Sequence, residues 1–192
     1  MAKRLDSTLR LLGIQAGETR TLFTSHATVR EYEKGDIIFH EKRCNSTEYI
    51  LIDGILHRYN ATLQGLPVTT GFYQATAAIT PHFARTIAGQ SLFSMEALTC
   101  SVVAEISVED LDRLRSISPE LERFGARVVA NELLSNLQED VVNRSTSAKE
   151  RLLLLRRRHP LLENLVPHSA IASYLGITNV SFSRLRSALS HE

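Results

Sequence analysis

The chain has 192 residues, 43% hydrophobic and 22% charged, with a net charge of +1. That is enough for one large domain, or a medium domain plus a small one, and no stretch approaches the roughly 20 apolar residues that span a bilayer. The N-terminus MAKRLDSTLRLLGIQAGE is broken by charges before a signal-type apolar run develops, so no membrane partner is expected and the cytoplasm is the expected compartment. Cys44 and Cys100, the only cysteines, supply neither a disulfide framework nor four ligands for zinc or an iron-sulfur cluster. Each is expected to be a buried or half-buried thiol.

The small net charge conceals an asymmetry. Residues 1–143 hold 14 Lys and Arg against 18 Asp and Glu, whereas 144–192 hold 8 against 3. A basic C-terminal quarter on a mildly acidic body is what a nucleic-acid-binding module attached to a separate domain produces, and also what a solvated basic face produces.

In the first 28 residues, Leu5, Leu9, Leu12 and Ile14 at near-helical spacing, followed by Leu22 and Phe23, predict one or two short helices. From Val29 to Ser107 the texture becomes short apolar runs separated by turn signals. Lys34-Gly35-Asp36 precedes Ile37-Ile38-Phe39, and Tyr49-Ile50-Leu51-Ile52 ends in Asp53-Gly54 before Ile55-Leu56. This pattern predicts a closed or sandwiched antiparallel β-structure, with Asp53-Gly54 as a hairpin turn because a type I′ turn needs positive φ at its centre. The last strand is Val102 to Ser107, passing into a helix at Val108.

Ser118-Pro119-Glu120 reads as a helix start: a hydroxyl N-cap, a proline where no N–H is needed, and acid at the positive dipole end. A long helix is expected from Leu121 to about Val142, with one apolar stripe of Leu121, Phe124 and Val128 and another of Val129, Leu133, Leu137 and Val141. One stripe can pack on the β-domain and the other on a partner, or both can be buried within one chain. Leu121, Phe124 and Val128 are expected at a two-fold seam, weakened lower down by Asn131, Ser135 and Gln138. Ser145 to His159 reads as another helix, stopped by Pro160. Its Arg156-Arg157-Arg158 end can serve either the helix dipole or DNA phosphates.

Residues 168–186, HSAIASYLGITNVSFSRLR, carry the pattern of a helix-turn-helix. Ile171 and Leu175 form an inner face, Ala172 is small where the helices cross, and Gly176 supplies the positive φ of the turn. Ile177 plugs the corner and Thr178 caps the second helix. Phe182, Leu185 and Leu189 face inward, leaving Asn179, Val180, Ser183, Arg184 and Ser187 outward, where a recognition helix meets the major groove. A chance amphipathic hairpin would meet several of these requirements but seldom all in register. The sequence ends at Glu192, so no β-hairpin wing is expected after Leu189.

From about residue 25 onward the chain resembles the catabolite activator protein (Crp/Fnr) superfamily. The matches are Tyr32-x-x-Gly35-Asp36, Tyr49-Ile50-Leu51-Ile52-Asp53-Gly54, Val103-Ala104-Glu105-Ile106-Ser107 and IASYLGITNVSFSRLR. The resemblance implies an α+β fold: an N-terminal antiparallel β-barrel of jelly-roll, cyclic-nucleotide-binding type (1–117), a dimerisation helix (118–143) and an all-α helix-turn-helix domain (144–192). It implies a non-enzymatic homodimer that regulates transcription by binding an inverted repeat in double-stranded DNA, with RNA polymerase and a small-molecule effector as further partners. Asn179, Val180 and Arg184 fall where the family reads bases, and Arg can bond guanine and Asn adenine bidentately. Val180 replaces the family's common acidic residue, so the operator does not transfer.

The effector does not transfer either. Family members that bind cyclic AMP use a Gly-Glu pair for the ribose and an Arg-Ser or Arg-Thr pair for the phosphate. Counted back without gaps from the last strand, those positions hold Thr80-Pro81 and Ser91-Leu92, while Arg85-Thr86 is a displaced pair only if the loop is six residues longer. An uncompensated phosphate in a closed pocket is unfavourable, so cyclic AMP is not expected and no cofactor is assigned. Rival readings are a cupin-like metal enzyme using His26, His40, Glu41, His57 or His82, which lack His-x-His spacing, and a degenerate sensor acting through protein contacts. No phosphate-cradling loop or serine nucleophile elbow is present in the sequence.

Overall fold

The computed structural model describes residues 1–189. Helices α1 (Ala2–Leu11) and α2 (Gly17–His26) precede strands β1 (Thr28–Tyr32), β2 (Ile37–Phe39), β3 (Thr47–Asp53), β4 (Ile55–Ala61), β5 (Pro67–Gln74) and β6 (Ala77–Ala78). A one-turn helix α3 (His82–Arg85) leads into β7 (Thr86–Ile87), β8 (Gln90–Ser91), β9 (Ser94–Ala97) and β10 (Ser101–Ser107). Helices α4 (Val108–Ile117), α5 (Pro119–Ser145), α6 (Ala148–Arg158), α7 (Leu162–Leu165), α8 (His168–Tyr174) and α9 (Asn179–Leu189) follow. The expectation that no wing follows Leu189 concerns 190–192, which lie outside the described residues.

The strands divide into two antiparallel four-stranded sheets, ordered β1-β10-β3-β6 and β2-β9-β4-β5, with β7-β8 as a separate pair. Side chains from both sheets meet in one core of Phe39, Tyr49, Leu51, Leu56, Ile79, Phe93, Met95, Ala97 and Val103, the arrangement of a jelly roll. The run Tyr49-Ile50-Leu51-Ile52 lacks polar alternation because both of its faces are covered. Tyr49 and Leu51 enter the inter-sheet core, while Ile50 and Ile52 join Val102, Ala104 and Ile106 of β10 beneath the helices, against Leu5, Leu9, Phe23, Leu111 and Leu121.

Asp53-Gly54 is not a hairpin. Gly54 does adopt the positive φ expected of it, +95°, but β3 pairs with β10 and β6 whereas β4 pairs with β5 and β9. The turn therefore carries the chain from one sheet to the other. It passes so close to β10 that a Cβ on Gly54 would lie 2.3 Å from Ser101 Oγ and 2.6 Å from the Cys100 carbonyl oxygen. Cys44 and Cys100 are both free and exposed, contrary to expectation; each lies in a connection between strands, where side chains point to solvent.

Ser118 caps α5 through its hydroxyl, which accepts the Leu121 N–H, and Pro119 takes the first helical position. The Glu120 carboxylate reaches back to the N–H groups of Gln15 and Ala16, at the start of α2, and these bonds hold it below the usual carboxylate range. The helix runs 27 residues, ending at Ser145 rather than near Val142. Ser147 and Glu150 then form a reciprocal capping box that starts α6, so the helix expected from Ser145 begins at Ala148.

Candidate nucleic-acid interface

Helices α8 and α9 form the unit expected over residues 168–186. Ile171, Ala172, Leu175 and Phe182 are almost wholly buried, with Ile177, Leu185 and Leu189 packed at the margin of the same cluster. The corner is a Schellman motif: the Gly176 N–H donates to the Ser173 carbonyl and the Ile177 N–H to the Ala172 carbonyl, both at 3.0 Å. Gly176 takes φ +67°, a conformation that costs glycine nothing. The Thr178 hydroxyl accepts the Ser181 N–H at 3.1 Å, starting α9. Asn179, Val180, Ser183, Arg184 and Ser187 are all exposed, as is Thr178, so these six residues share the outward side of α9 and its first turn.

This unit docks on its own β-domain, a contact the sequence did not reveal. The Thr69 N–H of β5 donates to Ser173 Oγ at 3.0 Å, Tyr174 meets Phe72 edge-on at 5.2 Å, and His159 Nδ1 lies 2.6 Å from Gln74 Oε1. Ile55 and Leu98 of the β-domain belong to the same apolar cluster as Leu152, Leu155 and Phe182. Alongside, Arg58 of β4 crosses β5 to α5. Its guanidinium bonds Glu132 at 2.8 Å and Asn136 at 2.9 Å, lying flat over Gly71, where a Cβ would stand 2.7 Å from Arg58 Nε. Arg58 pairs with Gly71 across β4 and β5, a close approach of the kind that a glycine within a strand permits.

No family model matches the sequence. Electron transport regulator A of Shewanella oneidensis is 28% identical over 175 residues, an alignment covering 80% of this chain and 65% of that protein. The chain thus spans slightly less than two thirds of that relative. Among solved structures, FixK2 from Bradyrhizobium japonicum superposes with a TM-score of 0.71 at 22% identity, over 86% of this chain and 85% of that one. A Eubacterium rectale protein assigned to the Crp/Fnr family gives a TM-score of 0.74 at 15% identity, over 96% of this chain and 88% of that one. The fold is that of the Crp/Fnr regulators.

Within this Crp/Fnr fold, the four residues expected at an effector pocket sit together on the β7-β8 pair, where Thr86 faces Ser91 and the Leu92 N–H donates to the Arg85 carbonyl at 2.8 Å. Arg85 is completely buried, with its Nε donating to the Thr80 carbonyl at 3.0 Å and its Nη2 to the Thr47 carbonyl and, at 3.3 Å, to Asn45 Oδ1. The Thr86 hydroxyl is spent on the His82 carbonyl. Ser91 is buried with no hydrogen-bond partner for its hydroxyl among the described residues, while Leu92 is 45% exposed. The histidines and Glu41 considered as metal ligands are dispersed: His57 bonds Thr69, His26 the Leu22 carbonyl, and Glu41 Asn60. Among the described residues no three His, Cys, Asp or Glu side chains gather as a metal site.

The long helix also corrects the sequence reading. Leu121, expected at a two-fold seam, is 1% exposed within its own chain's core. Phe124 packs on that core, and with Val128 it lines a small apolar cleft opposite Ile50, Ile79 and Ile106. The reason is the Ser118 corner, which lays the first turns of α5 against α4 and the β-domain. The open apolar stripe lies further along, at Leu133, Leu134, Leu137 and Val141, each between 56% and 62% exposed.

Proposed function

We propose that this protein is a sequence-specific DNA-binding transcriptional regulator of the Crp/Fnr type, reading an inverted repeat as a homodimer. The observation that carries the reading is the outward side of α9: Asn179, Val180, Ser183, Arg184 and Ser187 are exposed together on a helix fixed from beneath by Phe182. That is the presentation a recognition helix needs to enter a major groove. The proposal divides the chain into a β-domain (1–117), a dimerisation helix and a DNA-reading domain, with the helix extended to Ser145.

Two such helices must sit about 34 Å apart to reach successive major grooves. Helix α5, 27 residues long, measures about 40 Å at 1.5 Å per residue and is the natural spacer. Leu133, Leu134, Leu137 and Val141 recur along it at the three- and four-residue spacing of a two-stranded seam, and their exposure supports a partner copy packing there. Cyclic AMP is not the effector in this reading, because Pro81 and Ser91 stand where the ribose carboxylate acceptor and the phosphate guanidinium belong. The reading is tested by selecting duplexes from randomised DNA with the purified protein. Enrichment of a two-fold symmetric sequence supports it, and recovery of unrelated sequences overturns it.

A further inference from the structure

Helix α7 is a single turn, yet it carries a carboxylate that gathers two arginines from different helices. Glu163 bonds Arg156 of α6 through both guanidinium Nε and Nη2, and its Oε1 lies 3.1 Å from Nε of Arg186 on α9. The Glu163 side chain is only 14% exposed, against 32% for Arg156 and 38% for Arg186. Arg186 is held from two further sides: its guanidinium stands 5.8 Å over the Phe182 ring, and its Nη1 is 3.3 Å from His168 Nδ1. His168 in turn meets Phe182 edge-on at 5.5 Å.

We infer that Glu163 is a positioning residue for DNA specificity: it fixes the rotation of α9 and withholds two arginines from the phosphate backbone. This rests on the DNA-reading proposal. Successive residues on a helix are about 100° apart, so Arg184 and Arg186 project about 200° apart and cannot both face one groove. The buried Phe182 face turns Arg186 inward, and the Glu163 carboxylate holds it there. With Arg186 drawn under the helix, Arg184 stands outward beside Ser183 and Ser187. A half-buried carboxylate shared by two guanidiniums also offsets cationic charge that would otherwise bind any duplex regardless of sequence.

The test compares the wild type with Glu163→Gln and Arg186→Gln on a duplex selected by the wild type and on a random duplex of equal length, by fluorescence anisotropy across a KCl series. Glu163→Gln should bind random DNA more tightly, lower the selected-to-random affinity ratio about tenfold and steepen the log–log salt slope by about one to two. Arg186→Gln should lower the ratio without steepening the slope, a difference between the two variants that a merely structural defect in both would not produce. A ratio and slope equal to the wild type's in Glu163→Gln, or in Arg186→Gln alone if the former does not fold, overturns the inference. A wild type that enriches no sequence overturns the DNA-reading proposal itself.

Discussion

The Arg85 guanidinium lies 4.8 Å from the Phe39 ring centroid and 5.2 Å from that of Tyr49, inside the jelly roll. A charge in that position persists because it is stacked on two aromatic faces and bonded to the carbonyls of Thr47 and Thr80. Arg85→Met should therefore destabilise the fold by about 2 to 4 kcal/mol, since it strands buried acceptors. Arg85→Lys should also destabilise, because one ammonium cannot serve the acceptors that the planar fork reaches. Urea unfolding measures both; a Lys variant as stable as wild type would show that the fork geometry is unimportant.

The same geometry bears on the effector. Nε and Nη2 of Arg85 are engaged by the protein and the Thr86 hydroxyl is bonded to the His82 carbonyl. Among the described residues this leaves only the buried Nη1 of Arg85 without a partner, so clamping a phosphate here would require breaking these bonds. Isothermal calorimetry should detect no cyclic AMP binding at micromolar concentrations. A micromolar dissociation constant would mean that Arg85 turns to clamp the phosphate.

Glu48 gives a pH signature. Its carboxylate is 8% exposed and accepts the His82 N–H at 3.0 Å; burial is the largest influence and raises its pKa above the ordinary 4.5, opposed by the His82 bond and the Arg85 charge. The folded chain thus holds this proton more tightly than the unfolded chain. The stability it contributes is full below 4.5 and declines as pH rises through the raised value. Glu48→Gln removes that decline, so denaturant unfolding should show the variant gaining on wild type as pH rises above 4.5. A constant difference across that range contradicts the assignment.

The two apolar groups of α5 should separate by mutation. Leu121→Ala should cost about 2 to 5 kcal/mol of folding stability, as a fully buried leucine does. Leu134→Glu with Leu137→Glu should leave the monomer folded and bring like charges together at the seam. Light scattering at micromolar concentration should then report a dimer for the wild type and a monomer for the variant. A double variant that remains dimeric would place the seam elsewhere.

Much of this was legible in the sequence, and the failures have identifiable causes. The corner Gly176-Ile177-Thr178 was readable because each residue answers a local backbone demand: a positive φ, a plug and a cap. The start of α5 at Ser118-Pro119 was readable for the same reason. Asp53-Gly54 misled because a local pattern reports the turn but not which sheet each flanking strand joins. Leu121 misled because apolar periodicity shows that a stripe is buried without showing what buries it. Glu163 carried no signal, since its two arginines lie seven residues before it and 23 after it in the sequence.

The central claim is that α9 reads bases through its exposed face. The most direct measurement is the affinity of the wild type and Arg184→Ala for a duplex selected by the wild type and for a random duplex, by anisotropy at several salt concentrations. The account predicts that Arg184→Ala loses roughly 1 to 3 kcal/mol per half-site on the selected duplex and little on the random one, with the fold intact. Equal losses on both duplexes would assign Arg184 to phosphate, and no preference of the wild type for any sequence would contradict the account.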